Sequence, residues 1–384
     1  MASQSEFPSR RPLWSTYWCQ TPRLPCLLLF FGFLLVGGLF LHVYGPVAVN
    51  LEWSADRTYQ YTNSHLYPRV TRAPCNATCR WLREQQRRKQ RVSSTCNSYR
   101  NSSTADLSYT LTSKLLKTMK HFLVLDSHKL IYCYIPKVGC TNWKRIFLVL
   151  SGAMDHTNMT TQYETHLSAQ KNIRTLAEYS LEEAKQRLAN YTKFMFARHP
   201  FERLLSGYRD KFLMDYPSST IFRKNYGPKI SSYGDPRQRR PTLRSDGTLN
   251  VSFAQFAQYL ADPANKFRGN DPTEHWNEMY RMCHPCAVTY DILGNFSTLH
   301  EDADFFLHLQ GLDGKVSYPK STNPTNSSDE QYLAKYFAKL LPADIEALLA
   351  RYSVDFELFG YTAPSSVQTI LQGRSNLPRW ADVA

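Results

Sequence analysis

A mixed α/β architecture built on a parallel sheet is predicted for this 384-residue chain. Short β-branched and aromatic runs recur, each feeds a loop, and each loop opens an apolar stretch of helical length, which is the order that produces parallel strands. The first two runs, from His121 to Asp126 and from Lys129 to Pro136, read as strands joined by a turn at Asp126 to His128. The second hands over through Pro136-Lys137-Val138-Gly139-Cys140-Thr141-Asn142 to a helix over Trp143 to Leu150. Ser180-Leu-Glu-Glu183 is a capping box that opens a helix to about Asn190. Thr192 to Ala197 then reads as a buried strand, followed by Arg198-His-Pro-Phe-Glu-Arg-Leu-Leu-Ser206 and a helix through Phe212. Residues 231 to 250 form a long polar stretch carrying Arg237, Arg239, Arg240 and Arg244, and a loop of that length inside a domain is usually functional. The remaining helices centre on 252–261, 302–310, 329–340 and 343–352, and the last 20 or so residues read as a loose tail.

The composition, 42% hydrophobic and 20% charged, excludes wholesale disorder and a multi-span membrane protein, while 46 Lys and Arg against 32 Asp and Glu favour a polyanionic partner. Residues 26 to 41 carry no charge and Val43 and Tyr44 extend the run, giving about 19 helical residues or roughly 28 Å, enough for a thin bilayer. Arg10, Arg11 and Arg23 precede it against Glu6, which places the N-terminus in the cytosol and makes a type II signal anchor. A cleaved signal peptide is the alternative, but no small-x-small site follows the run. Either way the rest of the chain is expected in the secretory lumen, with sequons at Asn76, Asn101, Asn158, Asn190, Asn250, Asn295 and Asn326. The expected divisions are a cytosolic tail (1–23), the transmembrane anchor (24–44), a luminal stem (45–112), a globular domain (113–363) and a C-terminal tail (364–384). The basic cluster between Arg80 and Arg91 reads as a short solvated helix of the stem.

Two strand-to-helix loops carry the chemistry. The first offers backbone N–H groups at a helix N-terminus, Lys137 and the Thr141 hydroxyl, the parts of a phosphate cradle, without the Walker A spacing of a nucleoside triphosphatase. The second places Arg198 at a strand end and Ser206 in the next helix, where a guanidinium and a hydroxyl can share another phosphate. Two anion sites point to a bisphosphorylated nucleotide. Cys283-x-x-Cys286 lacks two further ligands at zinc spacing, so structural disulfides are expected, with an odd luminal thiol left over.

The strings PKVGCTNWKR and RHPFERLLSGYRDKF resemble the 5′- and 3′-phosphosulfate-binding motifs of Golgi carbohydrate sulfotransferases. EHW at 274–276, CHPCAVTYDILG at 283–294 and YSVDFELFGY at 352–361 resemble the branch that holds the chondroitin and dermatan 4-O-sulfotransferases, the nearest likeness, and the HNK-1 sulfotransferase. Departures are His199 in place of Glu, Gly139 in place of Ala and Ser297 in place of Glu. The resemblance implies a P-loop-like sulfotransferase fold and a Golgi type II enzyme with a luminal catalytic domain. It implies 3′-phosphoadenosine 5′-phosphosulfate (PAPS) as co-substrate without a metal, and O4 of GalNAc in chondroitin or dermatan as acceptor. Residues 136–142 and 198–206 (Arg198, His199, Pro200, Phe201, Glu202, Arg203, Leu204, Leu205, Ser206) would then form the donor site, with Lys137 as the catalytic charge and Glu202 paired to an arginine such as Arg203. For the base, His166 is preferred over His275, and Arg237, Arg239 and Arg240 are expected to grip the acceptor polymer. Other acceptors, terminal GalNAc or a glucuronyl glycan, remain open, as does a membrane-anchored glycosaminoglycan-binding lectin without catalysis. A nucleic-acid partner conflicts with the lumen.

Overall fold

The computed structural model describes residues 76–102, 107–158, 160–234, 242–265, 273–320 and 325–375. The expected anchor, the stem up to residue 75 and Arg237, Arg239 and Arg240 lie outside these residues. Among the described residues no helix is long and apolar enough to cross a membrane. In chain order the elements begin with α1 (Ala77–Ser102), α2 (Ser113–Leu116), β1 (Phe122–Leu125), β2 (Leu130–Cys133), α3 (Cys140–Leu150), α4 (Gln162–Asn172), α5 (Leu181–Asn190) and β3 (Thr192–Ala197). They continue with α6 (Pro200–Tyr208), α7 (Pro217–Ser231), α8 (Phe253–Ala261), α9 (Met279–Cys283), β4 (Ile292–Asn295), α10 (Leu299–Leu309), α11 (Glu330–Phe337), α12 (Pro342–Phe359) and α13 (Ser365–Ser375).

The four strands form one sheet in the order β1-β2-β3-β4, with β2, β3 and β4 parallel and β1 antiparallel to β2 across the turn at Asp126–His128. All four residues of β1 and of β2 are buried, as a sheet covered on both faces requires. Cys133, Ala197 and Asn295 end the three parallel strands at one edge, and the loops that leave this edge build the site. A second apolar cluster gathers Phe201, Phe212, Phe256 and Trp276 with residues of α11, α12 and α13.

The structure corrects the stem assignment for residues 77–102. They form a 26-residue helix whose Trp81, Gln85, Val92 and Cys96 are buried. This helix covers the free edge of the sheet. The Leu293 N–H donates to Gln85 Oε1 at 2.9 Å, and Arg88 donates to the Leu293 carbonyl at 2.9 Å and to Asp302 at 2.8 Å. An exposed strand edge invites association with other chains, and here side chains of α1 satisfy it. Trp81 Nε1 also donates to Asp302 at 2.7 Å, and Cys96 is bonded to Cys286. The second disulfide, Cys133–Cys283, ties the end of β2 to α9, and among the described cysteines Cys140 is the free thiol. The expected structural disulfides at Cys283 and Cys286 are present, and Cys140 is the odd one out.

The C-terminal tail is likewise corrected in part, because Ser365–Ser375 is helical and Val367 is fully buried. The Ser180 capping box opens α5 as expected. α3 begins three residues before Trp143, at Cys140, with Gly139 at its N-cap in the left-handed region (φ 73°). A side chain at Gly139 would meet the Tyr318 hydroxyl, which donates to the Gly139 carbonyl at 3.1 Å.

Candidate active site

Two cavities open beside the C-terminal edge of the sheet. The first, of about 860 Å³, is lined by Lys137, Gly139, Cys140, Thr141 and Asn142 from the β2–α3 loop, by Arg198 and Ser206 from the β3–α6 region, and by residues 296–301 and 325–329. The second, of about 1540 Å³, is larger and lies among Lys117, Lys120, Lys144, Lys211, Tyr163, Ile221 and Phe222. Tyr134, Gln162, His166, Glu274 and His275 line both. Both expected bases therefore stand where the cavities meet.

The phosphate loop is held from below by two buried arginines. Arg203 donates to the carbonyls of Pro136 (2.9 Å), Asn277 (2.5 Å) and Glu274 (2.6 Å), so one guanidinium clamps the first loop to the EHW segment. Arg198 donates to the Lys137 carbonyl at 2.9 Å, to Ser327 and Ser328 at 2.9 and 2.8 Å, and pairs with Glu202 at 3.4 Å. Glu202 thus pairs with an arginine as expected, Arg198 rather than Arg203, because Arg203 turns inward to the loop carbonyls. Of the 198–206 stretch, Arg198 and Ser206 line the cavity. Pro200, Phe201, Arg203, Leu204 and Leu205 are buried in packing, and His199 caps α6, accepting from the Phe201 N–H at 3.2 Å and contacting the Thr362 carbonyl at 2.9 Å. Val138 is fully buried and likewise turned to the core. Of the expected donor-site residues, the structure thus brings only some to the cavity: in an amphipathic helix start, one residue in three or four faces outward and the rest form the core.

Lys137 has a left-handed backbone (φ 70°), and its ammonium lies 3.4 Å from Asp210, which also pairs with Lys211 at 2.9 Å. Burial pulls the Lys137 amine below its usual range, opposed by the Asp210 charge. The two lysines overcome burial at Asp210 and keep its carboxyl below the usual value. Asp210, Lys211, Lys144 and Glu274 were written in the strings PKVGCTNWKR, RDKF and EHW, yet their spacing gave no sign that they converge. The hydroxyls of Ser327 and Ser328 were visible only as part of the sequon at Asn326, and that of Thr325 not at all. Ser206 meets Thr325 at 2.9 Å, so this segment closes over the Arg198 end of the cavity.

His166 Nδ1 lies 3.0 Å from Lys144 Nζ and its Nε2 lies 3.4 Å from Thr141 Oγ1. Burial, then Lys144, Lys211 and Lys137, push the imidazole down to about 3, so it is neutral. His275, edge-on to Phe222, is also held neutral by burial, then by Lys211, Lys137 and Arg203, and its Nδ1 is without a hydrogen-bond partner. Burial raises the carboxyl of Glu274, which lies 3.6 Å from His121. Among the sequons, Asn76, Asn101, Asn158, Asn190 and Asn250 are exposed. Asn295 accepts from Ser297 and Tyr361, and Asn326 lines the first cavity. Among the described residues no group of three or more His, Cys, Asp or Glu is placed to hold a metal ion.

The cavity fits a bisphosphorylated nucleotide: its volume is that of a cofactor site, and two cationic groups, Lys137 and Arg198, line it. A model of the sulfotransferase family matches residues 120–362. Carbohydrate sulfotransferase 11 of Rattus norvegicus is 38% identical over 282 residues, covering 73% of this chain and 76% of its own length. Carbohydrate sulfotransferase 12 of Mus musculus is 36% identical (65% of this chain and 62% of its own length), and carbohydrate sulfotransferase 10 of Gallus gallus is 33% identical (70% and 73%). No solved structure matches.

Proposed function

Because the chain belongs to the sulfotransferase family, we propose that it moves the sulfuryl group of PAPS to O4 of GalNAc in chondroitin or dermatan. The observation that carries this reading is the meeting of the two cavities at Tyr134, Gln162, His166, Glu274 and His275. One cavity is lined for a nucleotide, and the other is larger and rimmed by lysines, as suits a carboxylate-bearing polymer. The bound donor supplies the activated sulfuryl group. Thr141 and the N–H groups that open α3 hold its 5′-phosphate, and Arg198 and Ser206 its 3′-phosphate. Lys137 leaves Asp210 and places positive charge where the leaving phosphate gains it. His166 faces the acceptor hydroxyl as base, with His275 gripping the sugar. The disulfides Cys96–Cys286 and Cys133–Cys283 support residence in an oxidising lumen, and one N-terminal span is proposed to hold the chain in the Golgi membrane.

The test is incubation of the detergent-solubilised full chain with labelled donor and a panel of desulfated glycosaminoglycans, followed by disaccharide analysis. Label at GalNAc O4 is expected. Label only on terminal GalNAc or glucuronyl glycans would replace the acceptor, and polymer binding without transfer would make the protein a lectin.

A further inference from the structure

Lys144 lies on α3 one turn beyond Cys140, is only 7% exposed, and carries its ammonium 3.8 Å from the Tyr134 ring. Its hydrogen-bond contact is His166 Nδ1 at 3.0 Å. We propose that Lys144 is the terminal proton acceptor of a relay, taking the Nδ1 proton of His166 while Nε2 takes the proton of the acceptor hydroxyl. The proposal rests on the reading of His166 as base given above.

An imidazole that faces an ammonium at Nδ1 must accept there, and its one hydrogen then sits on Nε2, toward Thr141. That tautomer has no lone pair at Nε2 for a sugar hydroxyl. With Lys144 as a neutral amine the same 3.0 Å contact reverses: Nδ1–H donates to the amine and Nε2 is free to accept. The protonation of Lys144 therefore selects the tautomer of His166. Protons balance as follows. The hydroxyl O–H breaks and an N–H forms at Nε2; the Nδ1–H breaks and an N–H forms on Nζ. The freed oxygen pair bonds sulfur, and the pair of the broken sulfur–oxygen bond leaves with the phosphate.

The surroundings disfavour keeping the proton on the ring. Lys144, Lys211 and Lys137 all oppose an imidazolium, and Asp210 alone among the named charges favours it. On Lys144 burial favours the neutral amine, opposed by Cys140 and Glu274. The remaining titratable groups beside the pair are Tyr134 and His121, on the segments flanking β2 and β1, and His275 next to Glu274. Burial holds both of these histidines neutral.

The experiment compares Lys144→Arg, Lys144→Met and His166→Ala in the full chain, measuring kcat, both KM values and the pH dependence of kcat. A permanently charged guanidinium fixes the unreactive tautomer, so Lys144→Arg should lose at least about 100-fold in kcat with the donor KM within about twofold. Methionine imposes no tautomer, so Lys144→Met should lose only about tenfold and should lack the rise of kcat with pH that the amine gives the wild type. A lysine needed only for its charge predicts the opposite order. Lys144→Arg as active as, or more active than, Lys144→Met overturns the relay, and so does a wild-type pH rise kept in Lys144→Met. Binding of adenosine 3′,5′-bisphosphate by calorimetry checks that each variant is folded, and if Lys144→Arg fails it the Lys144→Met profile decides. An active His166→Ala overturns the reading of His166 itself, whereas an inactive one beside a normal Lys144→Arg sinks the relay alone.

Discussion

Single side chains in this site are defined by what opposes their charge. Lys137 is parked on Asp210, and Lys137→Ala should lower kcat by about 100- to 1000-fold while adenosine 3′,5′-bisphosphate still binds, because the lost charge acts on the leaving phosphate. Wild-type turnover would remove Lys137 from the chemistry. Asp355, fully buried, accepts from the N–H groups of Met279 and Tyr280 at 2.7 and 2.9 Å, yet burial pushes its carboxyl up to about 7. In the unfolded chain it titrates near 4, roughly. Between these values the folded state holds a proton that the unfolded state releases. The group's favourable contribution is thus full below about pH 4, declines as pH rises toward 7, and is gone above it. Asp355→Asn removes the titration but turns an amide N–H toward one of these two donors, so its melting temperature should lie below the wild type at pH 5, with the gap narrowing by pH 8 as the wild type loses its proton. An equal difference at both values would show that Asp355 is not charged in the fold.

Elements that follow from local chemistry were readable in the chain, and those that depend on a distant partner were not. The capping box of Ser180 and the turn at Asp126 state their own ends within a few residues. α1 does not: its exposed arginines make it read as solvated, and its purpose appears only when Gln85 and Arg88 meet Leu293 over 200 residues away. The two phosphate loops were legible because strand, loop and helix are contiguous there. The convergence of Asp210, Lys144 and Glu274 upon them was not, since it is made by packing rather than by spacing. β4 was visible only as part of a motif, its four residues being too few to show a period. The consequence for truncation is direct. A fragment starting at 113 lacks α1 and Cys96, leaving Asp302 buried without Trp81 or Arg88. It should melt at least about 10 °C below one starting at 76, by scanning calorimetry, since a lost disulfide alone costs about 2–5 kcal/mol. Equal melting temperatures would make α1 a dispensable stem after all.

For the whole molecule the net charge of +14 bears on how a polymer arrives. Transfer to desulfated chondroitin should fall steeply between about 50 and 300 mM salt, while transfer to a small uncharged acceptor should fall much less. Replacing Arg237, Arg239 and Arg240 together by Ser should flatten that dependence and raise the polymer KM, with donor binding intact. An unchanged salt profile would assign the steering to the lysines of the second cavity. The disulfides set a different demand, on the order of events during synthesis. Cys96 and Cys133 leave the ribosome well before their partners, since Cys286 and Cys283 follow 190 and 150 residues later. At about 5–20 residues per second, that leaves many seconds in which the native partners of Cys96 and Cys133 have not yet been made. Any bond that Cys96, Cys133 and Cys140 form with one another in that interval is non-native. In the oxidising lumen proposed above, any such bond is resolved by thiol exchange, and the helix that seals the sheet edge is locked only once Cys286 has been made.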